Sequence, residues 1–165
     1  MVQHLPAPRY RNHEIQEAVE RIAQSVSRWI LDKKSRSLSV VSVLEGAKPF
    51  TGDLLTCLKR QVPELEVKIL EVRVKGTEGT ALLQSREYNG VFFSPNEVEG
   101  RAVLIVDDLV DSGKTLAVLK AAIDRMGAAE VRTAALIRKF GADSGPADFC
   151  GFDLNLDRKR LAQQG

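Results

Sequence analysis

Val103–Thr115 reads VLIVDDLVDSGKT. An apolar, β-branched run ends in two adjacent acids. A third acid follows, and then Ser-Gly-Lys-Thr opens a stretch with helical spacing. A buried strand of this kind delivers Asp107 and Asp108 to its carboxyl edge, and Leu109–Gly113 reads as a short loop before the helix. Ser112, Gly113 and Thr115 then stand where a helix N-terminus exposes its unpaired N–H groups, a ready anion site. Gly113 lets the backbone approach a phosphate closely, and the two hydroxyls can donate further bonds. Carboxylates beside a phosphate repel it unless sugar hydroxyls or a hard cation such as Mg²⁺ intervene. The stretch therefore asks for a ligand that carries a phosphate, a diol and a metal, and a ribose phosphate fits. Its GKT also suggests a nucleotide P-loop, but that motif needs glycine five positions before Gly113, where Asp108 stands.

Working outward, residues 12–31 place Ile15, Val19, Ile22, Val26, Trp29 and Ile30 at helical spacing, with Asn12 as the expected N-cap. Trp29 and this helix either pack on the sheet or form part of a dimer contact. Leu38–Leu44 is a buried parallel-strand pattern, followed by Gly46 and a helix over Pro49–Arg60. Val67–Val74 reads as a second strand. Ala102–Val106 is the third, and Lys114–Met126 is a helix ended by Gly127 at C′. Val131–Ile137 and Ala147–Phe152 complete the set. The expected fold is α/β: a central parallel sheet flanked by helices on both faces. Ligands in such sheets bind at the carboxyl ends of the strands. Residues 76–101, with several glycines and mixed polarity, read as a long mobile loop or a short β excursion.

The chain has 165 residues, which suits one domain spanning 1–165. Hydrophobic residues make up 44% and charged residues 28%, an ordinary soluble balance. No apolar run approaches the roughly 20 residues of a membrane helix, and MVQHLPAPRYRNHE lacks a signal-peptide core. A cytoplasmic location is expected, without a membrane partner. The net charge of +2 is too small to argue for nucleic-acid binding. Cys57 and Cys150 form no CxxC pair and read as small, buried or half-buried thiols. His4 and His13 are the only histidines, so neither a His-based metal site nor a Ser–His pair can be assembled.

VLIVDDLVDSGKT resembles the phosphoribosyl-pyrophosphate (PRPP) motif of the type I phosphoribosyltransferases, most closely the hypoxanthine-guanine and xanthine branch. SVLEGAKPFTGDLL (Ser42–Leu55) is similar to that branch's pyrophosphate loop and following helix, AALIRKF (Ala134–Phe140) to its purine-contacting segment, and PADFCGF (Pro146–Phe152) to the strand after it. The likeness covers roughly residues 38–152. It implies a Rossmann-like phosphoribosyltransferase fold and transfer of the phosphoribosyl group from PRPP to a 6-oxopurine, with release of pyrophosphate and Mg²⁺ as cofactor. Asp107 and Asp108 would hold the ribose hydroxyls directly or through the metal. Asp111 would be the general base near N7 of the purine. The 5′-phosphate would rest on Asp111, Ser112, Gly113, Lys114 and Thr115, and the pyrophosphate on Glu45 and Gly46. Lys139 would contact the exocyclic oxygen of the base, and residues 76–101 would be a closing lid. A homodimer or homotetramer is implied by resemblance alone.

Three positions depart from the family pattern. Glu45 stands where a basic residue is frequent, with Lys48 close by. Val74-Lys75-Gly76 replaces a Ser-Tyr pair, leaving Arg73, Lys75 and Arg86 as candidate charges for pyrophosphate. After Phe152 no stacking aromatic follows in DLNLDRKRLAQQG, and Asp153 or Asp157 are the candidate acids, so a reduced hood and a short tail over 153–165 are expected. These departures keep open a transferase with a different nitrogenous acceptor and a regulatory protein that binds PRPP or a nucleotide without transfer.

Overall fold

A computed structural model describes residues 10–44, 46–73, 95–111, 113–139 and 147–154 of the chain. Five strands, β1 (Ser37–Leu44), β2 (Glu66–Arg73), β3 (Ala102–Val110), β4 (Glu130–Arg138) and β5 (Phe149–Asp153), form one sheet in the order β2-β1-β3-β4-β5. Every pairing between them is parallel. Helices α1 (Asn12–Asp32) and α2 (Ala47–Gln61) cover one face, and α3 (Lys114–Arg125) covers the other. The expected α/β architecture is thus the observed one.

The two-faced burial explains the apolar strand patterns. Leu38, Val40, Ala102, Leu104 and Val106 pack toward α1 and α2. Their alternates Val41, Val43, Val103 and Ile105 pack toward α3. Strands covered on both sides must be apolar on both, which is what a parallel sheet under helices requires. The polar exceptions are matched: the buried Ser42 and Thr51 hydroxyls lie 2.9 Å apart and join β1 to α2.

α1 begins at Asn12, as the expected span 12–31 has it, but its cap is one residue earlier than expected. Arg11, not Asn12, is its N-cap, and the Arg11 N–H donates to the Glu14 carboxylate at 2.6 Å. Trp29 faces the sheet. It is 5% exposed, and its indole N–H donates to Glu130 at 2.9 Å. The Arg132 guanidinium lies 5.2 Å from the centre of its ring. α3 ends as expected, with Gly127 at φ +86° just beyond the cap residue Met126, a backbone that glycine adopts without penalty. Cys57 is buried and Cys150 half-buried, both as free thiols.

The lid expected over 76–101 lies outside the described residues for 76–94, while its last part is tied down. Val98 is fully buried. The Ser39 hydroxyl donates to the Glu97 carbonyl at 2.8 Å and accepts from Arg101 Nε at 2.7 Å. Gly100 donates to the Gly127 carbonyl at 2.8 Å. Residues held at both backbone and side chain do not swing, so 95–101 belong to the folded framework and not to a closing lid.

Edge strand β5 depends on a close approach. A Cβ on Gly151 would meet the Leu136 carbonyl oxygen at 2.7 Å and the Ala18 Cβ at 3.3 Å. Neither backbone nor a core alanine can step aside cheaply. Gly151→Ala is expected to destabilise the fold by about 1–3 kcal/mol. Urea unfolding measures this, and an unchanged midpoint would show that β5 has slack.

Candidate active site

β1 pairs with β2 on one side and β3 on the other, so the chain direction across the sheet reverses between β1 and β3. In doubly wound sheets the crevice beyond the carboxyl ends of such strands is where ligands sit. Gly46 follows β1 and leads into α2. Asp107 and Asp108 lie near the end of β3, which leads through Gly113 into α3, and Lys139 follows β4. Four of the sequence-predicted segments therefore meet at one edge.

β3 runs further than the sequence suggests. It continues through Leu109 to Val110, so the acids belong to the strand and the loop is confined to residues 111–113. The apolar pair Leu109-Val110 after the acids was the available signal. The extension matters because Val110 still pairs with β4: its carbonyl accepts the Lys139 N–H at 2.8 Å. That bond holds the base of Lys139 beside the motif and brings the Lys139 ammonium to 4.0 Å from the Asp111 carboxylate.

Gly113 has φ +75°, the left-handed region that favours glycine, and its carbonyl accepts the Ala117 N–H at 3.0 Å as the first bond of α3. No side chain caps α3 among the described residues. Its first-turn N–H groups and the positive end of its dipole therefore offer an anion donors and favourable charge. Asp107, Leu109, Val110, Asp111, Gly113, Thr115 and Leu116 line an open pocket of about 120 Å³ there. Lys114 is exposed at the start of the helix. The apolar wall of Leu109, Val110 and Leu116 was not anticipated from the sequence. Ser112 and Glu45 lie outside the described residues.

The two adjacent acids divide between neighbours. Asp107 lines the pocket at the start of α3. Asp108 lies against Gly46: a Cβ on that glycine would stand 2.6 Å from Asp108 Oδ2. Gly46 has φ −65°, so glycine is needed here for space and not for backbone freedom. Burial pushes the Asp107 carboxyl up to about 7, helped by a hydrogen bond to the Asp108 carboxyl and by that group's negative charge; the N–H groups of Leu109 and Asp108 pull the other way. Two carboxyls so arranged hold a proton or welcome a hard cation. Among the described residues no group of three or more His, Cys, Asp or Glu could hold a metal ion. A cation at Asp107 and Asp108 would therefore complete its shell from water or ligand oxygens.

The raised Asp107 has a measurable consequence. The folded protein keeps this proton between pH 4 and 7, where the unfolded chain, with the ordinary value of 3.8, has lost it. Folding stability without metal should then fall as pH rises through that window and level off above it, by about 1–2 kcal/mol once solvent screening is allowed for. Urea unfolding in a chelator at pH 5 and pH 8 measures the drop. Asp107→Asn should remove this share of it, and an identical slope in the variant would refute the assignment.

Other candidate charges are engaged elsewhere. Lys48 pairs with Glu71 at 3.4 Å, both exposed. Asp153 pairs with Arg138 at 3.6 Å across the β4–β5 junction. Asp157, Lys75 and Arg86 lie outside the described residues, as does the Arg73 side chain.

Comparison with known proteins bears on this arrangement. Residues 10–150 match the model of the phosphoribosyl transferase domain. The bifunctional protein TilS/HprT of Listeria monocytogenes is 32% identical over 141 residues, 84% of this chain and 20% of that protein. The chain thus spans about a fifth of the length of that relative. The hypoxanthine-guanine phosphoribosyltransferase of Dictyostelium discoideum is 26% identical over 149 residues, 89% of this chain and 80% of that one. Among solved structures, the hypoxanthine phosphoribosyltransferase of Trypanosoma cruzi in complex with the product IMP superimposes with a TM-score of 0.71 at 26% identity, covering 88% of this chain and 83% of that one. With its parallel sheet, its glycine-led helix start and its paired acids at the strand edge, the chain belongs to the phosphoribosyl transferase domain family.

Proposed function

We propose that the chain transfers the 5-phosphoribosyl group of PRPP to a 6-oxopurine (hypoxanthine, guanine or xanthine) and releases pyrophosphate, as in purine salvage. The observation that carries this reading is the meeting of Lys139 and Asp111 at 4.0 Å beside the phosphate pocket. A planar base that offers an oxygen acceptor to the ammonium and a ring N–H to the carboxylate has both its polar edges answered there. Asp111 takes the proton as the base attacks the anomeric carbon. The 5′-phosphate rests on the first turn of α3, on Gly113, Lys114 and Thr115, with Ser112 as a further donor.

Asp107 and Asp108 hold the ribose hydroxyls and the Mg²⁺. When bound, Mg²⁺ neutralises charge on the departing pyrophosphate. Gly46 leaves Asp108 room to act and, with Glu45, borders the pyrophosphate. A cytoplasmic location and a homo-oligomer belong to the same reading.

Pyrophosphate release in the presence of PRPP, Mg²⁺ and a panel of bases tests it. Release with hypoxanthine, guanine or xanthine is the expected result. Release only with some other base would replace the acceptor. PRPP binding without release across the panel would mark a regulatory protein.

A further inference from the structure

Tyr10, immediately before α1, stacks on Phe152 of β5. The ring centres are 3.7 Å apart and the planes 20° from parallel. The position of this pair follows from the sheet register. Phe152 is the Cα partner of Ile137, and partners in a ladder project to the same face. Ala135 belongs to the cluster under α3, so alternation puts Ile137 and then Lys139 on that side. Gly151 confirms the parity from the other strand, since its Cβ would point at Ala18 of α1. Phe152 therefore projects away from α1, on the face that carries Lys139, one diagonal step along the neighbouring strand. Asp107, the Cα partner of Ala135, lies on the same face.

Both rings are half-buried, so the stack keeps part of its aromatic surface in solvent. A purine whose polar edge is held by Lys139 and Asp111 needs an apolar surface for its flat face. Among the described residues, this pair is the aromatic surface at that end of β4 and β5.

We propose that the Tyr10–Phe152 stack is the platform on which the planar acceptor lies, making Tyr10 an affinity-determining contact for the base. The proposal rests on the reading of the Lys139–Asp111 edge as the acceptor site. Its chemistry is base–aromatic stacking, which tolerates any flat heterocycle and leaves the choice among them to Lys139 and Asp111.

The test uses binding and needs no turnover. The full chain with Mg²⁺ is titrated by calorimetry with IMP and with ribose 5-phosphate, which share the sugar phosphate and differ by the base. Wild type should prefer IMP by at least about tenfold. Tyr10→Leu, which keeps an apolar cover on Phe152 but no π face, should weaken IMP by about 5- to 100-fold and leave ribose 5-phosphate unchanged. Tyr10→Phe should retain the preference. Equal affinity of wild type for both ligands overturns the proposal, as does a Tyr10→Leu variant that keeps its preference or loses both ligands alike.

A second measurement on unaltered protein covers the case in which Tyr10→Leu fails to fold. IMP, and not ribose 5-phosphate, should shift the Tyr10 ring protons in the NMR spectrum, and their immobility would be decisive against the platform. If wild type shows the Tyr10-dependent preference for IMP yet releases no pyrophosphate with any base, the transfer reading fails and the platform stands.

Discussion

Asp111→Asn is expected to lower turnover by about 10²- to 10⁴-fold, the range for losing a positioned general base, while PRPP affinity changes no more than a few-fold. The asymmetry comes from what the side chain touches. Asp111 is 75% exposed, and its ion pair to Lys139, at 4.0 Å, is long. Nothing in the core leans on it, so stability should stay within about 0.5 kcal/mol. Asparagine keeps the shape and the backbone N–H groups of the proposed phosphate site. It removes the capacity to accept a proton from the incoming base. Steady-state kinetics with hypoxanthine beside calorimetry with PRPP separate the two quantities. Turnover within about tenfold of wild type would move the base elsewhere, and an equal collapse of PRPP binding would make Asp111 a donor-site residue.

The second large effect is expected at Gly46. In Gly46→Ala the new methyl would stand 2.6 Å from Asp108 Oδ2 and 3.0 Å from its Cγ. The atoms met are the end of a side chain, so the carboxylate swings away and the fold survives. The backbone at φ −65° suits alanine. What is lost is the position of Asp108. KM for PRPP should rise about 10- to 100-fold, roughly 1.4–2.7 kcal/mol, with little change in melting temperature. A double-mutant cycle sharpens the prediction: Gly46→Ala added to Asp108→Ala should cost nothing further, because both act through one carboxylate. Additive losses would place the role of Gly46 outside this contact.

Much of this architecture could be read from local pattern. Apolar runs that alternate with helical periods gave the five strands and three α-helices of the described residues close to their observed bounds, because each element is covered on the faces its residues advertise. The strand, turn and helix start that line the pocket were legible for the same reason, since they are contiguous in Val103–Thr115. What escaped depends on pairing between distant segments. The continuation of β3 through Val110 is stabilised by β4. The contact of Gly46 with Asp108 joins two strand ends that no window of sequence contains. The stack of Tyr10 on Phe152 brings the front of the chain to its last strand, and Trp29 takes its partner Glu130 from β4. Composition alone cannot say which of several aromatic or acidic residues will be neighbours.

The strand order carries a consequence for how the molecule acquires its ligand site. β3 lies between β1 and β4, and the proposed site draws Gly46 from the end of β1, Asp107 and Asp108 from β3, and Lys139 from just beyond β4. The approaches that join these groups, Gly46 to Asp108 and Lys139 to Val110 and Asp111, each close a long loop of chain, the kind of pairing that forms late and slowly. No fragment of the chain that lacks one of these strands contains the whole of that site. A ligand that needs all of it binds the finished sheet and not its precursors, so PRPP with Mg²⁺ should act as a pharmacological chaperone, raising the melting temperature in proportion to the logarithm of its concentration.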